Sequence, residues 1–246
     1  MRPTITELTD AFSASLTVVP RHGVGICTLC HGASRGSRRC RSCTETAARV
    51  RCPVDLVVPI ALCERSSQLH HVLWSYKNSE RRDVRKKFTI RLAAVVARFL
   101  DGHSECIAAA AGRSWDSITT VPPTRSRSGW RPLEDVVSRV RELAAAHERT
   151  MNPGLREVER GRPREENFEV IADVRGRAFL LLDDTFTSGT HAQAAASALQ
   201  EAGGDVVAVV PIGRFMNPGY DEATQALWDS VKDIPFDFGD CCLHQR

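Results

Sequence analysis

Four cysteines near the amino terminus have the spacing of a metal site. Cys27 and Cys30 form one Cys-x-x-Cys pair and Cys40 and Cys43 form a second, in a segment rich in Gly, Ser and Arg but short of large apolar residues. Two such pairs can close a tetrahedral thiolate shell around zinc, at about 2.3 Å per Zn–S bond. Since four thiolates leave no position for water or substrate, this zinc would be structural. A redox dithiol and four free thiols are the alternatives.

The other five cysteines give weaker signals. Cys241 and Cys242, together with His244, resemble part of a metal site, but adjacent cysteines rarely chelate one ion well, so a site there is the less favoured interpretation. The remaining three lie singly in or beside apolar runs and are predicted to be small buried hydrophobic residues: Cys52, Cys63 and Cys106.

Two adjacent carboxylates, Asp183 and Asp184, follow an apolar run at 179–182, and a turn rich in hydroxyl groups comes next. In open α/β sheets ligands bind beyond the carboxyl ends of the strands, and a helix that opens after a Gly turn presents N–H groups and a positive dipole to a phosphate. The carboxylates could accept hydrogen bonds from vicinal sugar hydroxyls or hold magnesium. The alternative is that they cap a helix after a plain turn. A Walker loop and a Rossmann fingerprint are excluded, because neither glycine pattern is present.

A second polar stretch follows the first apolar strand predicted in this half of the chain. It reads Pro122-Pro123-Thr124-Arg125, with Arg127 next in line. Because the carboxyl ends of parallel strands meet at one edge of a sheet, we expect Thr124 and Arg125 to reach a diphosphate bound beside the acidic pair. The alternative is a solvated basic loop.

A dense basic cluster precedes residue 91. It could follow a nucleic-acid backbone or bind a diphosphate, although few aromatic residues are interleaved with it and a solvated helix surface is the plainer interpretation. Its members are Lys77, Arg81, Arg82, Arg85, Lys86 and Lys87.

The elements that must position these residues alternate between apolar strands and helices. We predict strands at 117–121, 178–182 and 206–211 and helices at 192–202 and 223–231, with a helical stripe of Leu133, Val136, Val137, Val140 and Leu143. Two short strands and two helices separated by a basic turn are predicted for residues 53–100, and a mobile loop for 150–166. Apolar strands joined by helices predict an α/β fold whose parallel sheet is covered on both faces.

Composition bounds the class of protein. The chain has 246 residues, 42% hydrophobic and 26% charged, which excludes disordered and fibrous classes. No apolar run approaches the roughly 20 residues of a membrane span, and no secretory signal can be recognised, so a reducing cytoplasm is expected. Residues 1–91 carry 16 Lys and Arg against 7 Asp and Glu, whereas the remainder is acidic. Such asymmetry suggests a polyanionic partner or simply a solvated basic surface.

The acidic strand end resembles the ribose-phosphate motif of type I phosphoribosyltransferases. By that resemblance Asp183 and Asp184 face the ribose hydroxyls of phosphoribosyl pyrophosphate and act with Mg²⁺ and Arg125 in catalysis. The resemblance also implies a set of residues that bind the donor: Thr187, Ser188, Gly189, Thr190 and His191 around its 5-phosphate, and Pro122, Pro123 and Thr124 near its pyrophosphate.

The layout as a whole is similar to one branch of that family, the ComF-like competence-associated proteins, over roughly residues 25–215. Tyr76-Lys77, Val121-Pro122, Arg160 and Asn167-Phe168 stand where this branch carries its Tyr-Lys, Val-Pro, Arg and Asn-Phe elements, whereas residues 128–131 read Ser-Gly-Trp-Arg in place of its usual Arg-Gly-Phe-Asn.

The resemblance implies a type I phosphoribosyltransferase-like sheet with a small zinc-ribbon module. We expect an extension at 1–24, a zinc module at 25–52, a connecting α+β segment at 53–110, a transferase domain at 111–216 and a helix and tail at 217–246. The expected activity is transfer of a phosphoribosyl group to an unknown acceptor, usually a nitrogen, with release of pyrophosphate. The alternative is an accessory protein for DNA uptake that binds single-stranded DNA or the uptake machinery and uses the donor site without turnover. A homo-oligomer is compatible with either.

Overall fold

The computed structural model describes residues 3–123, 129–156, 158–159 and 161–244. Within them the chain is a mixed α/β protein built on a four-stranded parallel sheet. The strands are β1 (Ala61–Cys63), β2 (Ser117–Thr120), β5 (Ala178–Phe186) and β6 (Asp205–Phe215), in the order β1-β6-β5-β2. A separate antiparallel pair joins β3 (Met151–Pro153) to β4 (Phe168–Val170). The predicted α/β class with a parallel sheet between helices is confirmed.

Eight α-helices lie among the described residues, and the longest has 30 residues. They are α1 (Ile5–Ser13), α2 (Arg41–Ala47), α3 (Gln68–Asn78), α4 (Arg82–Ala111), α5 (Pro132–Val137), α6 (Arg141–Ala146), α7 (Thr190–Glu201) and α8 (Glu222–Val231). Short 3₁₀ turns occupy Glu165–Asn167 and Pro218–Tyr220.

The central strand β5 buries both of its faces. Leu180 and Leu182 belong to an apolar cluster with α1, α3, α4 and α5, whereas Phe179 and Leu181 belong to a second cluster with α7 and the amino-terminal cysteines. Successive side chains of a strand point to opposite faces, so an unbroken apolar run is what a sheet covered on both sides requires. The carboxyl ends of the strands are thereby fixed at one edge of a rigid core.

The segment at 53–100 differs from its prediction. It contains one strand, β1, not two: residues 56–60 run beside β6 with three backbone hydrogen bonds, but they form a single isolated bridge, Val57 to Val209, and not a second strand. The turn between α3 and α4 is confined to residues 79–81, and the basic residues at 82–87 form the first turns of α4, with Asp83 favourably placed near the helix N-terminus. Both β1 and α4 belong to the same sheet and core as the later strands.

Two further predictions are corrected after residue 130. The apolar stripe at 133–143 is split into α5 and α6, because Ser138 bonds back to the Asp135 carbonyl at 2.8 Å and Val140 takes an extended conformation. The segment predicted as a mobile loop at 150–166 begins with β3. Gly154 lies so close to the backbone of Glu166 that a side chain there would collide with it, and its N–H donates to the Asn167 carbonyl at 2.7 Å.

No helix of the described ranges combines the length and the apolar character that crossing a bilayer requires.

Candidate ligand pocket at the carboxyl edge of the sheet

A cavity of about 830 Å³ opens where β5 ends. Its floor is the segment 183–191, which joins β5 to α7, and its walls come from α3, the residues after β2 and the start of α5. Ligands of open α/β sheets bind at such an edge. The pocket side chains with polar or aromatic chemistry are His70, Tyr76, Lys77, Asn78, Trp130, Asp183, Asp184, Thr185, Phe186, Thr187, Ser188, Thr190, His191 and Phe215.

Asp184 accepts two hydrogen bonds from α3. The Tyr76 hydroxyl donates to its Oδ2 at 2.5 Å, and the Lys77 ammonium donates to the same oxygen at 2.6 Å. Tyr76 is fully buried, and the side chains of Lys77 and Asp184 are 34% and 17% exposed. Both hydrogen bonds from α3 end on Oδ2, so neither of them occupies Oδ1 of this carboxylate.

The two adjacent carboxylates have different electrostatics. Burial and the neighbouring charge of Asp184 raise the pKa of Asp183 to about 7, so this group changes protonation near neutral pH. Burial also opposes ionisation of Asp184, but the charge and hydrogen bond of Lys77, with the Tyr76 hydroxyl, hold its pKa below the usual range. Asp184 in turn raises the pKa of Lys77 despite burial. One carboxylate is therefore fixed as an anion, and the other is poised to gain or lose a proton.

The hydroxyl-rich turn after the acids needs a glycine at its end. Gly189 has φ +80°, in the left-handed region, and a Cβ placed there would lie 2.5 Å from Cζ of Phe186. Glycine is the residue that tolerates both conditions. The turn brings the Ser188 and Thr190 hydroxyls within 2.7 Å of each other at the start of α7.

The start of α7 is suited to an anion. The helix has 12 residues, begins at Thr190 after Gly189, and has no side-chain cap bonded to its first N–H groups. Unsatisfied N–H groups and the helix dipole favour a negative group at such an end. The backbone N–H of Gly161, from the segment between β3 and β4, donates to Thr190 Oγ1 at 3.0 Å, so that segment reaches the same turn.

The four predicted zinc ligands converge. The sulfurs of Cys27, Cys30, Cys40 and Cys43 all lie within 4.8 Å of one another, and those of Cys30 and Cys40 are 3.7 Å apart. A tetrahedral ZnS₄ shell needs sulfur separations of about 3.8 Å. The backbone N–H of Cys40 donates to the Cys27 sulfur at 3.2 Å. This group could hold a structural metal such as zinc.

Arg214 joins the cysteine module to the pocket, and the sequence analysis did not single it out. At the end of β6 it is 8% exposed, and its guanidinium donates to the Cys30 carbonyl at 3.2 Å and to the Cys30 sulfur at 3.3 Å. The same group donates to the carbonyls of Phe186 and Thr187, at 3.2 and 3.0 Å. Despite burial, the negative cysteine sulfurs raise its pKa above the ordinary value. One buried cation therefore holds both the cysteines and the first residues of the hydroxyl-rich turn.

A signal for Arg214 is present in the sequence. It is the single charged residue that follows the apolar run at 206–212 within the same strand, and a charge is almost never fully buried unless it is paired. Its partners in the cysteine module and in the turn after β5 lie 27 to 184 residues away, so no local pattern could have named them.

Other predicted site residues fall into three groups. Pro122 and Pro123 line the pocket, whereas Thr124 and Arg125, with Arg127 and the family-pattern residue Arg160, lie outside the described residues. Asn167 is buried and anchors its own loop, because its side chain accepts from the Arg164 N–H at 2.9 Å and donates to the Arg156 carbonyl at 3.1 Å.

The basic cluster is divided by the fold. Lys77 points into the pocket, whereas Arg82, Lys86 and Lys87 are exposed on the first turns of α4. Arg81 is exposed and pairs with Asp83 at 2.6 Å. Arg85 lies 5.3 Å from the ring centre of Trp130, an aromatic residue of the pocket wall that belongs to the 128–131 element in which the chain departs from the family pattern.

Comparison with known proteins adds no assignment: no family model matches the chain, and no curated protein sequence matches it.

Proposed function

We propose that this protein is a type I phosphoribosyltransferase of the ComF-like kind, which binds phosphoribosyl pyrophosphate with Mg²⁺ and transfers the phosphoribosyl group to an acceptor, usually a nitrogen. One observation carries the proposal. A single cavity contains an acidic pair at the end of a buried parallel strand and, directly after it, a glycine turn at an uncapped helix start. A diol and a phosphate on one small ligand match these two features.

The parts of the donor have complementary partners along the floor of the pocket. The Asp183 and Asp184 carboxylates would accept from the ribose hydroxyls, and the N–H groups of Ser188, Gly189 and Thr190 would bind the 5-phosphate. Carboxylate oxygens are also the ligands that Mg²⁺ prefers, so the two aspartates suit this ion. Bound Mg²⁺ would stabilise the charge of the leaving pyrophosphate.

The α3 pair gives the pocket a preorganised charge. Tyr76 and Lys77 hold the Asp184 carboxylate before any ligand binds, which fixes the orientation of one hydroxyl partner. The Lys77 ammonium also places a positive charge in a pocket that would receive a triply phosphorylated ligand. In the reaction a bond forms from the acceptor nitrogen to ribose C1, and the bond from C1 to the pyrophosphate oxygen breaks with its electron pair leaving on pyrophosphate. The proton of the acceptor nitrogen passes to water.

Pyrophosphate release tests the activity. Purified protein with phosphoribosyl pyrophosphate, Mg²⁺ and a panel of nucleobase, amine and amide acceptors should release pyrophosphate in an acceptor-dependent manner. In the Asp184→Asn variant that rate should be at least about 100-fold lower, since the substitution removes a charged hydrogen-bond acceptor and its ion pair. If the protein binds phosphoribosyl pyrophosphate but releases pyrophosphate with none of the acceptors, the transferase activity is contradicted and only donor binding remains.

A second candidate function rests on the surface beside the pocket. Arg82, Lys86 and Lys87 are exposed on α4, and the preceding helix carries Trp74 with 55% of its surface exposed. A basic surface with an exposed aromatic residue is suited to single-stranded nucleic acid. This supports an accessory role in DNA uptake, with the donor as a signal.

Binding to a fluorescent oligonucleotide at several salt concentrations tests the second function. Combined replacement of Arg82, Lys86 and Lys87 by Ala should weaken binding and reduce the salt slope by about 2, at about 0.7 per phosphate contact. A control variant that removes three surface charges elsewhere, Arg113, Arg139 and Lys232, should bind as the wild type does. Equal effects of the two variants would contradict nucleic-acid binding by the α4 surface.

A further inference from the structure

A second group of metal-ligating side chains lies far from the four cysteines in sequence. His103 and Cys106 stand three residues apart on α4, and Cys241 and His244 stand three apart in the carboxyl-terminal tail. We call these four residues the tail cluster. One ligand atom from each lies within 4.8 Å of those of the others. Tetrahedral zinc with two sulfurs and two nitrogens needs ligand separations of roughly 3.3–3.8 Å, so small shifts of these side chains would close a shell.

Each histidine of the cluster is held by its outer ring nitrogen. Nε2 of His103 lies 2.9 Å from the Phe238 carbonyl, and Nδ1 of His244 lies 3.0 Å from the Asp240 carboxylate. The Phe238 carbonyl and the Asp240 carboxylate accept hydrogen bonds, so these nitrogens donate to them; the Cys241 N–H also lies 3.3 Å from Nδ1 of His244, a longer contact than the one to Asp240. Metal-bound histidines are commonly oriented in this way, by a carbonyl or a carboxylate on the nitrogen that does not bind the metal. Arg21 pairs with Asp240 at 2.5 Å and fixes that carboxylate in turn.

The inner nitrogens of both rings face the same sulfur. Nδ1 of His103 is 3.8 Å from Cys106 Sγ, and Nε2 of His244 is 3.1 Å from it. The two rings lie edge to face with their centres 5.1 Å apart. His103 and Cys241 are buried, at 1% and 9% exposed, whereas Cys106 is half-buried and the His244 side chain is 33% exposed, so the cluster lies at the edge of the core. Two imidazole nitrogens and two thiolates are a zinc-binding set.

The place of the cluster in the fold gives such a metal a structural task. Residues 232–244, all of them described, form no helix or strand, and they contribute Phe238, Cys241 and Cys242 to the apolar core around α4. An ion bound by both segments would fasten this irregular tail to the longest helix. Cys242, the neighbour that sequence alone pairs with Cys241, is buried in the core and is not one of the four.

We propose that His103, Cys106, Cys241 and His244 bind a second zinc ion, which fastens the carboxyl-terminal tail to α4. Four protein ligands fill a tetrahedral shell, so the ion would be structural and independent of any donor in the pocket. Cys106 is then a metal ligand and not a small buried hydrophobic residue.

The wild-type protein itself provides the first test. Protein purified under reducing conditions without chelator, supplied with zinc and desalted, should contain about two zinc ions per chain, and X-ray absorption should give an average shell of about three sulfurs and one nitrogen per zinc. One zinc per chain with a purely sulfur shell would overturn the proposal. So would a Cys106–Cys241 disulfide, detected by mass spectrometry, in that zinc-supplied protein.

Matched variants locate the second ion. Cys106→Ser and His244→Gln should each lower the content to about one zinc per chain and change the remaining shell to four sulfurs. Cys242→Ser, which alters a buried cysteine next to the cluster, should keep about two. The zinc retained by the four-cysteine module shows that a variant is folded. Two zinc ions in Cys106→Ser, or loss of one in Cys242→Ser alone, would contradict the assignment.

Discussion

The four-cysteine module and the parallel sheet both contact the turn after β5, through Thr46 and Arg214, but have different sources of stability. Residues 25–52 contain three large aliphatic side chains, Ile26, Leu29 and Val50, and four converging sulfurs. The strand β5 instead has buried apolar side chains on both faces. A segment with so little apolar area needs another source of folding free energy, which a metal supplies, whereas the sheet has a core of its own.

The two regions are nevertheless joined by one residue. Arg214 belongs to the sheet, yet its guanidinium contacts Cys30 of the module and the carbonyls of Phe186 and Thr187 in the pocket. The module is therefore able to shape the ligand site without contributing a lining residue to the cavity as described. The following predictions separate the metal-dependent region from the apolar one.

Removal of zinc should give the largest effect. Structural zinc in small modules contributes about 10–16 kcal/mol of apparent binding free energy at pH 7. A strong chelator should therefore abolish amide protection over residues 25–52, while residues 178–182 and 206–211 stay protected in hydrogen-exchange mass spectrometry. Protection should return when zinc is added back. Unchanged exchange in 25–52, with the zinc shown to be removed, would contradict a metal-dependent module.

Replacing Arg214, which links the module to the sheet, should give the second largest effect. Arg214→Met removes the guanidinium that donates to the Cys30, Phe186 and Thr187 carbonyls and should lower the free energy of unfolding by about 3–5 kcal/mol, as measured by urea denaturation. Arg113→Met is the matched control, because Arg113 pairs with Asp205 at the other end of β6 on the surface and should cost about 0–1 kcal/mol. Similar losses in the two variants would show that Arg214 is not a structural link.

Neutralising Asp183 should stabilise the sheet region in a pH-dependent way. Its pKa of about 7 lies above the unfolded value, so the native state retains the proton and loses stability as pH rises from about 4 to 7. Asp183→Asn should then be more stable than the wild type at pH 8, by on the order of 3 kcal/mol, and should show little difference at pH 4.

Urea denaturation at both pH values measures the Asp183 effect. Asp101→Asn, an exposed carboxylate on α4, is the control and should change stability little at either pH. A gain of equal size at pH 4 and pH 8 would show that ionisation of Asp183 is not its cause.

The smallest effect is expected within the pocket wall. Tyr76→Phe removes one hydrogen bond to the charged Asp184 carboxylate but leaves Lys77 in place, so it should lower the free energy of unfolding by about 1.5–3 kcal/mol at pH 8. Tyr220→Phe, at a tyrosine that is 68% exposed, should change little. A loss in Tyr76→Phe that persists unchanged when Asp184 is also replaced by Asn would show that the bond is not the cause.

Local patterns predict the regions that nearby residues determine. The two Cys-x-x-Cys pairs lie within 17 residues, and the apolar run before Asp183 predicts a buried strand. The cysteine site and the strand therefore both follow from the order of residues along the chain. The break between α5 and α6 does not, because it depends on a conformation at Val140 that the helical spacing conceals.

Long-range contacts account for most of what the sequence does not predict. Tyr76 and Lys77 meet Asp184 across more than 100 residues, and the family resemblance, not their own spacing, marks them. His103 and Cys106 meet the tail across a still longer separation, so the local pattern around Cys106 predicts only a plain buried residue. A pattern along the chain carries no information about which distant segment a fold will bring to it.

Isothermal titration of the wild type with phosphoribosyl pyrophosphate and Mg²⁺ tests the central claim most directly. We expect one binding site per chain, with affinity reduced by at least about 100-fold in the Asp183→Asn/Asp184→Asn double variant and unchanged in Asp101→Asn. Wild-type protein that is folded and loaded with zinc but releases no heat of binding, or a double variant that binds as tightly as the wild type, would contradict the assignment of the pocket.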